Sequence, residues 1–256
     1  MIFTEWITQV PEWLQNAPEW IQSFCFSFYQ VFIENDNWRF FANGLKITLL
    51  TTIGALIIGV VLGVLVAIVR SAHDSCRTKP HFLLRILNFI CNIYLTVIRG
   101  TPMMVQLLIS AFVIMLPRGE TETLMCAIIT FGINSGAYVA EIVRSGIMSV
   151  NSGQMEAGRS LGLNYSKSMQ YIVIPQAIKN ILPALGNELI VLVKETSIVT
   201  TIGLKDLTKG AQIIVTNTYN TMMTYLSLAL IYLVIVIILS KLLGILERRL
   251  RASDRR

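Results

Sequence analysis

Residues 47–69 run for 23 positions without a single charge. That run constrains the chain more than any other feature. In water such a stretch would leave a long apolar surface uncovered. In lipid it is the length a helix needs to cross, because about 20 apolar residues span a hydrocarbon core of about 30 Å. Lipid offers no hydrogen bonds, so the backbone there must satisfy itself as a helix. Four further stretches follow the same logic. Residues 100–117 are uncharged, with the helix expected to begin near residue 84 and to carry Arg99 within it. Residues 123–140 are also uncharged. Residues 168–204 are apolar but hold Lys179, Glu188, Lys194 and Glu195, and residues 225–246 are interrupted only by Lys241. The expectation is an all-α membrane protein of five transmembrane helices. Composition agrees: 54% of the 256 residues are hydrophobic and 14% are charged, where a soluble domain carries about 25% charged residues. A disordered chain, a disulfide scaffold and an ordinary soluble enzyme are excluded.

Lys and Arg set the orientation, because they collect on the cytoplasmic side. With the N-terminus outside, segments 70–85, 141–167 and 241–256 face inward and hold 13 of them, against five in the outer segments. The N-terminus is therefore expected outside and the C-terminus in the cytoplasm, with Glu247, Arg248, Arg249 and Arg251 at the anionic inner leaflet. The net charge of +6 has the membrane surface as its partner. Nucleic acid is not expected, since the basic residues sit between apolar runs and form no aromatic-studded basic face.

The first 42 residues read as an outer-face interfacial segment. Glu5-Trp6, Pro11-Glu12-Trp13 and Pro18-Glu19-Trp20 repeat every seven residues. Each Pro-Glu-Trp is expected to open a short helix with Pro at its first position and Glu on the favourable end of the dipole. Trp belongs at the membrane interface. With no Lys or Arg among its first twenty residues, the segment is not the positive start of a signal peptide. Cys25, Cys76, Cys91 and Cys126 form no CxxC pair and read as free thiols.

Catalytic chemistry is missing. His73 and His81 lie in a basic loop, and no metal-binding or nucleophile motif occurs. Residues 153–160 match a P-loop except for Arg159 in place of Lys, but a P-loop follows a strand and faces phosphate with bare amides. Here Glu156 sits in that loop and the flanks are membrane helices. Hydrolysis of ATP by this chain is not expected, nor is any bound cofactor or metal.

The loop between the third and fourth spans carries the strongest signal. Asn151 or Ser152 can cap a helix, Gln154 stands at the capping-box position, and Gly162 can supply the left-handed residue that ends it. The pattern predicts a helix of about ten residues on the inner face, near 152–162. A second helix is expected from Tyr165-Ser166, interrupted or kinked at Pro175. Glu156-Ala157-Gly158, then Gly162 three residues on, then Ile172-Val173-Ile174-Pro175 after nine more, resembles the signature of ABC-importer permeases: EAA, three residues, G, nine residues, I-x-L-P. The departures are Gly158 for Ala and Ile174 for Leu. The resemblance extends to the polar amino acid branch through Arg99-Gly100-Thr101-Pro102 with Gln106, the stretch from Asn134 to Ile147, Pro183 to Glu188, and Lys194-Glu195-Thr196-Ser197, where Glu195 stands for the family's Asp. It covers residues 43–252; the segment before it and the tail at 253–256 lie outside.

The resemblance implies a type I importer permease in the bacterial inner membrane. Implied partners are two ATP-binding cassette subunits that hold ATP and Mg, a second permease copy as homodimer or heterodimer, and an extracytoplasmic solute-binding protein. Glu156, Ala157, Gly158 and Gly162 would couple to the ATPase. Intramembrane charges default to function. Glu188 and Glu195 are two turns apart on one helix face and suit the ammonium groups of a polar, perhaps basic, amino acid. Gln106, Ser135, Tyr138, Thr196 and Ser197 would add polar contacts. Glu141 and Arg144, three apart, read as a pair, and Gly59 and Gly63 as a close-packing GxxxG. An ion- or proton-coupled secondary transporter using the two carboxylates is the alternative; such folds usually show internal repeats, and none is visible.

Overall fold

The computed structural model describes residues 3–74 and 80–252, so Cys76 and the 253–256 tail lie outside it. Every regular element among the described residues is helical. The N-terminal segment forms three short helices, α1 (Phe3–Ile7), α2 (Glu12–Gln15) and α3 (Glu19–Phe28). Both Pro-Glu-Trp triplets open a helix, but each proline stands one residue earlier than expected. Pro11 and Pro18 occupy the N-cap with extended backbone, ψ 148° and 144°, and the glutamates begin the first turn. A π turn (Tyr29–Ile33) and a tight 3-10 turn (Glu34–Asp36) follow.

α4 (Trp38–Asp74) is 37 residues long and overruns the uncharged stretch at both ends. α5 (Phe82–Gly100) then stops where the sequence led us to expect one continuous helix. Thr101 is extended, φ −119° and ψ 145°, because the ring of Pro102 disfavours the helical region for the residue before it. α6 (Met103–Ile109) restarts directly after Pro102 and runs on into a π turn, Ser110–Met115. The expected second span is thus two helices broken at Thr101-Pro102. α7 (Glu120–Met148), α8 (Ser152–Ser160) and α9 (Tyr165–Ser168) follow. After a π turn at Met169–Val173 comes α10 (Ile174–Glu195). Pro175 lies in the first turn of α10, and Val173 and Ile174 before it are already helical, so the interruption expected at Pro175 takes the form of the π turn that precedes it, within one continuous helical run. A 3-10 turn (Thr196–Ile202), α11 (Leu207–Thr218) and α12 (Thr221–Ala252) complete the chain.

Among the described residues, four helices are long and apolar enough to cross a membrane: α4, α5, α7 and α12 up to Leu250. They make this a multi-pass membrane protein. α7 is the hub, with two-thirds of its most apolar stretch buried. It achieves this with small residues, among them Gly132, Ser135, Gly136, Ala137 and Ala140. The expected GxxxG does its packing here. A methyl group on Gly63 would lie 2.6 Å from Cβ of Val139, and one on Gly59 would lie 2.9 Å from Cβ of Ser135. α4 can therefore lie directly against α7 only because both positions lack a side chain. Leu107, Phe131 and Leu192 join α6, α7 and α10 in one buried cluster. Asp206 caps α11 by accepting from the amides of Thr208 and Lys209, both at 3.0 Å. The Leu207 amide donates to Thr48 Oγ1 at 3.2 Å, fixing α11 to α4.

Candidate functional site

α10 packs against α7, α4 and α12 and leaves one strip uncovered. Asn187, Val191, Lys194 and Glu195 are exposed along it. Glu188 lies half-buried at the edge of this face, and Ser135, fully buried on α7, donates its hydroxyl to Glu188 Oε1 at 2.7 Å. Glu195 lies two turns further on and is open, as its neighbour Lys194 is. The structure therefore brings Ser135 and Glu188 together and leaves Glu195 free to meet something outside the chain.

The other polar residues proposed for binding are used differently. Gln106 is held within the fold. Its Nε2 donates to the Ile98 carbonyl and to Thr101 Oγ1, both at 2.8 Å, and its Oε1 accepts from Asn134 Nδ2 at 3.0 Å. Gln106 thus satisfies the backbone exposed by the Thr101-Pro102 break. Tyr138 stacks under the Arg99 guanidinium, 5.6 Å from the ring centre, as a cation–π pair. Thr196 is fully buried and donates to the Val193 carbonyl at 2.8 Å; Ser197 is half-buried. Glu141 pairs with Arg144 at 2.9 Å, as its spacing suggested, and also lies 3.9 Å from Arg99.

α8 stands at the other end of α7, and its termini are closed by local chemistry. Asn151 Oδ1 accepts from the Gly153 amide at 2.8 Å. The reciprocal half of a capping box does not form; Gln154 Oε1 instead accepts from Gln176 Nε2 at 3.3 Å, on the first turn of α10. At the C-terminal end Gly162 is left-handed, φ 84°. The Leu163 amide returns to the Gly158 carbonyl and the Gly162 amide to the Arg159 carbonyl, at 3.1 and 3.0 Å, a full Schellman closure. Glu156 and Ala157 face outward, while Gly158 is buried against the π turn at Met169–Val173. A methyl there would lie 2.6 Å from Cδ1 of Ile172, so the glycine lets α8 sit close.

Residues 82–252 match the family described as binding-protein-dependent transport system inner membrane components. The chain belongs to that family. This transport component is 38% identical over 216 residues to the arginine transport system permease protein ArtQ of Bacillus subtilis, covering 84% of this chain and 94% of the relative. It is 34% identical over 210 residues to the glutamine transport system permease protein GlnP of Escherichia coli K12, covering 81% and 91%. Among solved structures, an amino acid ABC transporter with histidines superposes with TM-score 0.74 at 42% identity, over 82% of this chain and 94% of that one. An inward-facing methionine ABC transporter shares the fold at 16% identity, TM-score 0.68. Within this transport component, two residues that the sequence reading passed over stand out. Asn134 positions Gln106, and the Tyr94 hydroxyl donates to the Ile133 carbonyl at 2.6 Å, bracing α5 against α7. Asn134 opened a stretch already singled out; nothing local to Tyr94 marked it.

Proposed function

We propose that this chain is the permease subunit of an ATP-driven amino acid importer in a bacterial inner membrane. It forms a pathway for a polar amino acid and hydrolyses no ATP itself. The observation that carries the reading is the uncovered face of α10. Charges at bilayer depth are tolerated where they face protein or water, and are costly toward lipid. α10 is 22 residues long, about 33 Å at 1.5 Å per residue, so it crosses as a fifth span. Its charged face then belongs to an aqueous pathway shared with a second permease copy. Glu188, Glu195, Ser135 and Ser197 contribute to the substrate contacts; Gln106, Tyr138 and Thr196 support that wall from behind. The names of the arginine and glutamine relatives support an amino acid as substrate, and two carboxylates favour a cationic one.

The N-terminus lies outside and the C-terminus inside, from the distribution of Lys and Arg. That places α8 in the cytoplasm, where Glu156 and Ala157 dock on a separate ATP-binding cassette subunit holding ATP and Mg. An extracytoplasmic binding protein delivers the substrate to the opposite face. The test is co-purification of the detergent-solubilised chain with its ATPase subunit, followed by uptake of labelled arginine or glutamine into vesicles containing both. Wild type is expected to retain the ATPase and to transport; Glu156→Arg is expected to lose both. Retention of the ATPase by Glu156→Arg would remove α8 from the coupling role, and uptake without any ATPase would overturn the whole reading.

A further inference from the structure

The N-terminal segment lies outside the residues matched by the family, 82–252, yet it is a built structure. Gln15 Nε2 donates to the Val10 carbonyl at 2.8 Å, closing the connection before α2 onto that helix. Gln22 Nε2 donates to the carbonyls of Gln15 and Ala17, at 2.8 and 2.9 Å, tying α2 to α3. Trp6 is buried in an aromatic cluster, 5.3 Å from Phe26 and 6.1 Å from Tyr29. Val31 is wholly buried and packs in one cluster with Phe41 of α4 and Leu207 of α11. The segment is thus anchored at its C-terminal end and folded back on itself.

Its outward side is aromatic. Trp13 and Trp20 are 69% and 73% exposed, values that water alone would not favour for side chains this large. The segment up to residue 38 holds five acidic residues and no basic one, so attraction to anionic headgroups does not account for that side. Between α3 and α12 runs a trough. Its upper part is lined by Trp20, Ser23, Ser27 and Asn220 together with Phe24, Met222, Met223 and Leu226. Its lower part, about 520 Å³, is walled by Phe24 and Phe28 on one side and by α12 as far as Ile238 on the other. From Met222 to Ile238 that is 17 residues of α12, a rise of about 24 Å, against a hydrocarbon core of about 30 Å. The trough is mixed at one end, where Ser23, Ser27, Asn220 and the Trp20 indole lie among apolar side chains, and apolar along the rest but for Ser227. It opens onto α12, none of whose most apolar stretch is buried, and so is continuous with the lipid-facing surface.

We infer that this trough seats one acyl chain of a bilayer phospholipid. Its glycerol and headgroup lie level with Trp20, Ser23 and Asn220, and Trp13 and Trp20 hold the segment in the interface. The polarity gradient matches a lipid from headgroup to tail. A second protein chain would have to place a polar end against Asn220 and bare hydrocarbon against Ile238.

All four tryptophans, Trp6, Trp13, Trp20 and Trp38, lie in this segment, so intrinsic fluorescence reports on it alone. The full chain would be reconstituted in phosphatidylcholine vesicles, with Trp20 as the one remaining tryptophan and the others replaced by Phe. Lipid brominated high on its chains is expected to quench Trp20 at least twofold more than lipid brominated near the methyl end, and aqueous iodide is expected to quench it little. Native mass spectrometry of the detergent-purified chain is expected to show one retained phospholipid. Phe24→Ala and, independently, Leu230→Ala each remove one wall and should lower its occupancy. Strong iodide quenching with no lipid retained overturns the inference, as does a retained lipid that neither variant affects. A second copy occupying the trough, seen as Phe24→Cys chains crosslinking to one another, also overturns it. None of these readouts depends on transport, so their failure would leave the importer reading untouched.

Discussion

α10 and α12 both reach the surface of the molecule, and they leave opposite kinds of face uncovered. α12 exposes Leu226, Leu230, Leu233, Val234, Ile237 and Ile238 in an unbroken apolar series. α10 exposes Val191 together with Asn187, Lys194 and Glu195. Exposure alone does not separate them. What separates them is where a charge survives among the exposed residues: residues 221–240 of α12 carry none, Lys241 coming only beyond the apolar series, whereas Lys194 and Glu195 lie beside Asn187 and Val191 on α10. A helix side that meets hydrocarbon cannot keep one cheaply, so under the proposed function α12 is set against lipid and the charged face of α10 against water. The lesson is that in a membrane chain solvent accessibility names no solvent; charge does.

The sharpest way to break this contrast is to put the same charge on both helices. Leu233→Lys on α12 is expected to cost about 2.5–3.5 kcal/mol, the penalty for a cation near a span's centre. Val191→Lys on α10 is expected to cost less than about 1 kcal/mol if its side meets water, where surface substitutions are mild. Alkali-resistant membrane insertion, measured for both variants, reads the difference; equal losses would put both helices against lipid. A smaller effect sharpens the buried edge of the α10 face. Ser135→Ala removes the hydroxyl that donates to Glu188, and is expected to cost about 1–3 kcal/mol, as for a carboxylate deprived of its donor. It should lower the thermal midpoint in detergent, and an unchanged midpoint would mean that Glu188 has other partners. The smallest structural effect is expected at the open end. Glu195→Gln should leave assembly intact and lower substrate-stimulated ATPase activity about tenfold, the size of a ~1.4 kcal/mol contact. Unchanged stimulation and unchanged substrate preference would take Glu195 out of the pathway.

The sequence made the long apolar helices legible because lipid imposes one length on them, and α4, α7 and α12 all contain the runs singled out. It misled at Thr101-Pro102. The uncharged run 100–117 reports only what the side chains prefer, whereas the break lies in the backbone, and Pro102 was its visible mark. The structural use of Gln106 was equally hidden, since the broken backbone that it serves is seen only once α5 and α6 separate. At α8 both caps were legible, because Asn151 and Gly162 act within a few residues of themselves. Gln154 was not, since its partner Gln176 is 22 positions away. Ser135 and Glu188, 53 positions apart, were each flagged, but no periodicity can pair residues across two helices.

One consequence of the closed ends of α8 is mechanical. A helix of nine residues is below the length at which helices hold themselves together in water. Left to propensity, α8 would fray at each end, and a force applied to its outer side would be absorbed as unwinding. With Asn151 holding the first turn and the Gly162 closure holding the last, the segment moves as a stiff body. If α8 docks an ATPase subunit as proposed, its contact at Gly158 is where a displacement would reach the π turn leading into α10. The stiffness of so small a part therefore resides in the two residues that flank it.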